Sequence, residues 1–439
     1  MNFDKFFELA ASKGINQSQL QISRSKSLSI SLFRREIENF TVNDSQKIIA
    51  AGVVNGKYGS SATEKLDKDT FEFLTKNIVL SASLNEKEQE ADIFKGSDKY
   101  HKKNVYNPAL AEVPTEKKLA LIKEIEEKIY AADSRVAEVE VGYSERESAS
   151  EFYNSFGLKL KQKANYFYVS AAVVMRQGTE TKNFFDIVLD KDLSALNIDE
   201  MVRKVVEGAA KKFGADSIQS KKYPTVIDRE VMASLIGYFL SSAIADDVQR
   251  HTSMLEGKLG QKIASSRLTI EERPLEKNVF FSYFDGEGVA CKNKVVVKNG
   301  VLQTYFYNRE TAKKDGVEST GNGTWGGGKV GTGFGNVFVK PGKKSFEEMI
   351  APIKDGVYIT DVAGLGTGMN SVSGDFSCQA EGFHIVDGKV AEPLTLITLS
   401  GNLLKMLNDL KEFASDAKMT LEAISVASAY IKSMNIGGK

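Results

Sequence analysis

The sequence predicts an α+β protein of two domains, residues 1–218 and 219–439. Three observations carry that expectation. At 439 residues the chain exceeds the usual span of one hydrophobic core. Its β-branched runs are joined by Asn55-Gly56, Asn299-Gly300 and Asp387-Gly388, pairs that suit two-residue hairpins because both central residues need positive φ. In the first half a set of strands followed by a helix recurs after roughly 120 residues, which suggests an internal β/α duplication. The second half is richer in antiparallel strand signals.

The elements follow in order. Phe3, Phe6, Phe7 and Ala10 mark a short amphipathic helix that Gly14 ends. Leu28–Phe33 and Lys47–Val54 read as strands, the second closing at Asn55-Gly56. Asp69 can cap a helix carrying Phe71, Leu74, Ile78 and Leu84, and Thr115 opens another with Leu119, Ile122, Ile125 and Ile129 on one side. Val136–Val141, Glu151–Phe156 and Tyr166–Met175 read as strands of the repeat, with AAGVVNGKYG matching SAAVVMRQGT in pattern. Asp199 then opens a helix through Met201, Val202, Val205, Val206, Ala209 and Phe213, closed at Gly214. The polar stretch Gly214–Pro224 is the expected domain boundary. An apolar helix, Glu230–Ala245, precedes strands at Lys277–Phe284, Val289–Val297 and Val301–Tyr307. Ser345 and Glu348 form a capping box. Val357–Val362 and Leu394–Leu399 are strands, and Asn402 caps a helix with Leu403, Leu404, Leu407 and Leu410 on one face.

Composition excludes several classes. Fifty-eight basic residues balance fifty-eight acidic ones, so no global charge attracts a nucleic-acid backbone and no direct DNA binding is expected. Cys291 and Cys378 are too few for a disulfide framework or a four-cysteine zinc site. The first residues lack the apolar core of a signal peptide, and the longest nearly uncharged run, Val231–Ala245, falls short of the roughly 20 residues of a membrane span. The expectation is a soluble, cytoplasmic protein.

Short motifs promise little. Gly323–Val330 (GTWGGGKV) nearly spells a phosphate-binding loop, but Val330 stands where a magnesium-binding hydroxyl belongs, and no strand–helix setting surrounds it. GNGTWG at Gly321–Gly326 matches a dinucleotide fingerprint in letters only. Cys378 and His384 would lie about 20 Å apart on a continuous strand, too far for a nucleophile and its base unless the chain bends near Gly382. His251 with Glu256, and His101 in a lysine-rich loop, make no metal cluster. Lys159, Lys161 and Lys163 share one side of a strand and read as a solvated face.

Longer blocks say more. HTSMLEGKLGQKIASSRLTIEERP, FDGEGVACKNKVVVKNGVLQTYFYNRETAKKDGVESTGNG, SGDFSCQAEGFHIVDGKVAEPL and TLITLSGNLLKMLNDL, in this order, resemble the PmbA/TldD family, the so-called modulators of DNA gyrase. One branch of that family resembles zinc peptidases, with a His-Glu-x-x-x-His helix and a Gly-x-Cys-Gly-Lys segment. The chain is similar to the other branch. Its corresponding helix, VMASLIGYFLSSAIA, has no His, Glu, Asp or Cys, and its tail has no cysteine. The resemblance therefore implies a PmbA/TldD-like fold and a metal-free partner subunit of a cytoplasmic metallopeptidase complex that processes unstructured peptides. No catalytic residue and no cofactor belong to this chain, and zinc is expected only in a TldD-like partner. The alternatives are a homodimeric peptide-binding or regulatory protein, and a hydrolase with a nucleophile near Asp375–His384. The glycine loops Ser319–Asn336 and Gly364–Gly374 look too glycine-rich to be packing elements. Thr320, Gly321, Asn322, Gly323, Gly366, Gly368, Asn370, Gly374 and Asp375 are thus the candidate contacts for an extended peptide or a partner chain at a shared cleft.

Overall fold

A computed structural model describes residues 3–86, 91–326 and 329–439. Helix α1 (Asp4–Ser12) leads into β1 (Gln17–Phe33), β2 (Glu36–Val54) and β3 (Lys57–Thr63), and α2 (Thr70–Ser83) closes the unit. After the short α3 (Pro108–Ala111) the same order returns as α4 (Thr115–Ala132), β4 (Val136–Asn154), β5 (Lys159–Gln177), β6 (Glu180–Asp190) and α5 (Ile198–Ala210). The strands form one antiparallel sheet, β3-β2-β1-β4-β5-β6. First strand meets first strand at its centre, with Gln19 opposite Asn154 and Phe33 opposite Glu140. This is the layout that a duplicated helix–three-strand–helix unit produces.

Each unit buries its own apolar face. Phe6, Ala10, Leu74 and Ile78 of α1 and α2 cover Leu20, Ile22, Ile48 and Ala50. Ile122, Ile125 and Ile129 of α4, with Met201 and Val205 of α5, cover Ile30, Val141, Val169 and Val173.

Several strand limits need correction. The strands read as Leu28–Phe33 and Lys47–Val54 are far longer, because Arg34 and Arg35 both take positive φ (52° and 69°) and turn the hairpin without glycine or asparagine. Side-chain contacts hold that costly geometry: Glu126 Oε1 accepts the Arg35 N–H at 2.7 Å, Glu138 Oε1 accepts Arg34 Nη2 at 2.6 Å, and Arg35 lies over the Tyr130 ring. Val136–Val141 and Glu151–Asn154 are parts of one strand, whose polar middle is paired with both β1 and β5, and Ser155 and Phe156 belong to the turn that follows. Capping differs too. Asp67 rather than Asp69 takes the hydrogen bond from the Thr70 hydroxyl, and Asn197 rather than Asp199 accepts the Glu200 N–H. Lys161 and Lys163 pair with Glu151 and Glu147 across the sheet.

The second half runs β7 (Lys221–Ile227), α6 (Arg229–Ser241), α7 (Ala245–Gln249), β8 (Ile270–Glu272), β9 (Lys294–Lys298), β10 (Val301–Leu302), α8 (Arg309–Asp315), β11 (Gly323–Gly326), β12 (Lys329–Thr332) and β13 (Val337–Val339). It continues with α9 (Phe346–Ile350), β14 (Asp355–Ala363), α10 (Leu365–Gly368), β15 (Asp375–Val386), β16 (Lys389–Asn402), α11 (Leu403–Asn408), β17 (Leu410–Phe413), β18 (Lys418–Met419), β19 (Ile424–Val426) and β20 (Ala429–Gly437). Two six-stranded sheets result, β16-β15-β14-β7-β20-β17 and β10-β9-β8-β13-β19-β18, together with the β11–β12 hairpin. Helix α6 is fully buried at Met232, Leu235, Ile236, Phe239 and Leu240, in a core shared by residues of both sheets. Asp228 caps it by accepting the Glu230 N–H. Asn299-Gly300 and Asp387-Gly388 turn with both φ positive, as Asn55-Gly56 does.

Here too the apolar runs overstate the strands. Lys277–Phe284 forms none; Phe281, Tyr283 and Phe284 instead dock on Val105, Phe152, Leu160 and Ala164 of the first half. Val289–Val297 and Val301–Tyr307 contribute only β9 and β10. The helix at Asn402 stops at Asn408, and Leu410 begins a strand paired with β20. Among the described residues no helix is long and apolar enough to cross a membrane.

Candidate active cleft between the two halves

Residues 91–107 lead to α3 without forming a strand, and their polar groups tie them to both halves of the molecule. Gln17 Oε1 accepts the Ile93 N–H at 2.8 Å, and Asn154 Nδ2 donates to the Phe94 carbonyl at 2.6 Å. On the other side Tyr100 Oη donates to the Gly288 carbonyl at 2.6 Å, and Ser97 Oγ accepts the Ala290 N–H at 3.0 Å. Beside this strap opens a cleft of about 1300 Å³. Its walls are Tyr58 and Ser60 of β3, Ser81 of α2, the strap from Ala91 to His101, the turn Glu287–Lys292, Arg309 and Lys313 of α8, Val317–Ser319, and Lys329 and Val330.

The floor is built around carboxylates. Asp285 Oδ1 accepts the N–H groups of Glu287 and Val289, both at 2.9 Å, and its Oδ2 accepts that of Gly323 at 2.8 Å. A buried side chain thereby folds its own turn, and Gly288 completes it with φ +81° where a Cβ would strike the Phe152 ring. Burial pushes the Asp285 carboxyl up to about 6, against the pull of its three amide donors. Glu287 Oε2 accepts the Arg309 N–H at 2.8 Å. Burial, and then repulsion from Asp285, push Glu287 up to about 7. The Arg309 guanidinium pairs with Asp92 and lies over Phe94. Deeper still, Glu272 pairs with Lys294 and accepts Asn322 Nδ2 at 2.8 Å.

Thr320, Gly321, Asn322 and Gly323 form the packed wall behind this floor. They pack behind the lining of the cleft rather than within it. A Cβ on Gly323 would lie 2.7 Å from Glu287 Oε2 and 3.0 Å from Asp285 Oδ2, and one on Gly321 would lie 3.0 Å from the Ala290 carbonyl. Asn322 is buried and also bonds Lys294, Thr320 and the Gly333 carbonyl. Thr320 Oγ1 accepts the Tyr307 N–H at 2.7 Å. The GTWGGGKV stretch is a β-hairpin rather than a phosphate loop, with Gly327 and Gly328 outside the described residues.

The other five candidates lie elsewhere. Gly366, Gly368, Asn370, Gly374 and Asp375 do not line the cleft. Their loop closes on itself: Asn370 Oδ1 accepts the N–H groups of Val372 and Ser373, and Asp375 bonds Ser373 and Asn402, which hold its carboxyl below the usual range. Cys378 is buried, and burial raises its thiol. His384 faces Asp355 through Nε2, at 2.8 Å, and Glu392 through Nδ1, at 3.7 Å, so neither ring nitrogen is paired with the Cys378 thiol. The His251 ring meets Glu256, at 2.6 Å. Among the described residues no three His, Cys, Asp or Glu side chains converge to hold a metal. Asp285, Glu287 and Arg309 were not singled out from the sequence. Their signal was the spacing Asp285-Gly-Glu287-Gly, two carboxylates separated by glycine, which reads as an ordinary turn.

Comparisons with known proteins cover almost the whole chain. A family model described as the PmbA/TldA metallopeptidase C-terminal domain matches residues 220–438, and one for the central domain matches 108–213. A metalloprotease of Methanothermobacter thermautotrophicus is 31% identical over 378 residues, covering 83% of this chain and 80% of its own. Metalloprotease PmbA of Escherichia coli O157:H7 is 24% identical, covering 98% and 94%. A Thermotoga maritima structure carrying a DNA-gyrase-modulator name superposes with a TM-score of 0.91 at 27% identity, covering 99% of each chain. TldE from Thermococcus kodakarensis superposes equally well, TM-score 0.91, over 99% of this chain and 100% of that one; at 22% identity it speaks for the fold alone.

Proposed function

This chain belongs to the PmbA/TldD metallopeptidase family, and on that footing we propose that it is the metal-free partner subunit of a cytoplasmic peptidase, holding unstructured peptide in the cleft between its halves. The observation that carries the reading is the cleft. At about 1300 Å³ it exceeds the roughly 300–1000 Å³ of small-molecule sites. Its walls mix aliphatic side chains such as Ile93, Val289 and Val317 with charges of both signs, which suits an extended chain of varied sequence. That no three His, Cys, Asp or Glu side chains converge among the described residues supports placing the hydrolytic zinc on a TldD-like partner. Duplex DNA is not a partner in this reading, since the chain has a formal net charge of +0.

Mixing the chain with a zinc-bearing family member from the same source tests this. The pair should cleave unstructured peptides, while the chain alone should be inactive and retain no stoichiometric zinc after washing. Cleavage by the chain alone, or one tightly held zinc per chain, would overturn the assignment. Peptide binding by a homodimer that never joins the zinc-bearing protein would favour the regulatory alternative.

A further inference from the structure

We infer that Glu287 is a recognition subsite for a primary ammonium group, a lysine side chain or a peptide amino terminus, at the floor of the cleft. The inference rests on the peptide reading and sharpens it. Glu287 is 9% exposed, and that exposure opens on the cleft it lines. One oxygen, Oε2, is engaged by the Arg309 N–H; Oε1 receives no hydrogen bond from any described residue. Oε1 is reached from the cleft rather than sealed in protein, and a ligand that displaces its water must supply a donor in return, because leaving the oxygen unsatisfied is costly. A built, nearly buried acceptor facing a cavity is therefore arranged for a donor that arrives with the ligand.

The surroundings decide which donor. Facing Glu287 are Asp285 from its own turn, Asp92 from the strap, Tyr58 from β3 and Arg309 from α8. Of the charges that act on Glu287, Asp285 and Asp92 oppose its ionisation and Arg309, itself paired with Asp92, favours it, while Lys99, Lys292, Lys313 and Lys329 stand in the surrounding walls. The balance at the floor is one that a cation improves. An ammonium fits better than a metal ion, since no three ligating side chains converge among the described residues. A short charge-assisted N–H···O contact to Oε1 would supply the missing partner.

Proton linkage follows in sign. The free carboxyl, raised to about 7, is partly protonated at neutral pH. An adjacent ammonium favours the ionised form, so binding releases a proton and tightens as pH rises towards that value; beyond it a lysine keeps its affinity, whereas an amino terminus, losing its own proton near about 8, binds more weakly.

The test uses the full chain and four short unstructured peptides: one lysine, the same with norleucine, and the N-acetylated form of each. The lysine or the free-amine peptide should bind about tenfold more tightly than the doubly neutral one. Acetylation or norleucine alone identifies which source the site takes. Glu287→Gln keeps an acceptor for the Arg309 N–H and should erase both the preference and its pH dependence. Equal binding of all four peptides overturns the inference while leaving the peptide cleft intact. If no peptide binds, the cleft reading itself fails. Butylammonium chloride followed by the Glu287 carboxyl resonance then decides the subsite on its own: a shifted titration supports it, and an unmoved one overturns it.

Discussion

At Gly321 and Gly323 a side chain is forbidden by what surrounds the backbone, whereas around Gly364–Gly374 the chain curls upon itself at the surface and packs tightly at Gly368, where a Cβ would lie 2.5 Å from the Ser377 carbonyl. Gly323 leaves room for Glu287 and Asp285 to approach to within bonding distance of the main chain. Gly366 leaves room for almost nothing: a Cβ there would sit an ordinary 3.5 Å from Tyr238 Oη. Both stretches are rich in glycine and short polar residues. The first is part of a buried carboxylate floor, the second a loop held by Asn370, Ser373 and Asp375. Glycine content therefore says that the backbone is asked to do something unusual, and the neighbours decide whether that is close packing or turning.

The largest contrast should come from the glycines. Gly323→Val would drive a branched side chain into Glu287 and Asp285 and should cost about 3 kcal/mol by urea denaturation, the upper end of overpacking. Gly366→Ala should stay within about 0.5 kcal/mol. Equal costs would break the distinction. Next come the asparagines. Asn322→Ala strips donors and acceptors from Glu272, Lys294 and Thr320 and should cost about 2 kcal/mol, while Asn370→Ala, in an exposed turn, should cost about 1 kcal/mol or less.

Legibility divides along the same line. Asn55-Gly56, Asn299-Gly300 and Asp387-Gly388 were readable because the turn itself selects those residues. Arg34-Arg35 was not, since its positive φ values are held by Glu126, Glu138 and Tyr130, residues about a hundred positions away. The duplicated strand–helix order was readable from periodicity, and the sheet carries it. The aromatic run at Lys277–Phe284 was misread as a strand because apolar alternation cannot distinguish pairing in a sheet from docking on another half of the molecule. The cleft was invisible for a similar reason. Tyr58, Asp92, Glu287 and Arg309 come from four separated segments, and only tertiary contact makes them one site.

The smallest effect separates the two regions by pH. Glu287 is raised from 4.5 to about 7, so the folded chain keeps a proton that the unfolded one has released, and stability declines as pH climbs through that window. Asp375 is depressed below 3.8, so its contribution is present above that value and is lost as pH falls through its lower folded value. Unfolding curves across pH should show Glu287→Gln flattening the neutral slope and Asp375→Asn altering only the acid limb. The reverse pattern would mean that the buried floor and the surface loop have been exchanged in this account.

Photo-crosslinking most directly tests the claim that peptide lies between the halves. A substrate peptide bearing a photoreactive side chain is irradiated with the reconstituted pair, and the adducts on this chain are mapped by mass spectrometry. The account predicts adducts on the strap 91–101, on the turn 285–292 and on α8. Adducts concentrated on 366–375, or confined to the zinc-bearing subunit, would contradict it.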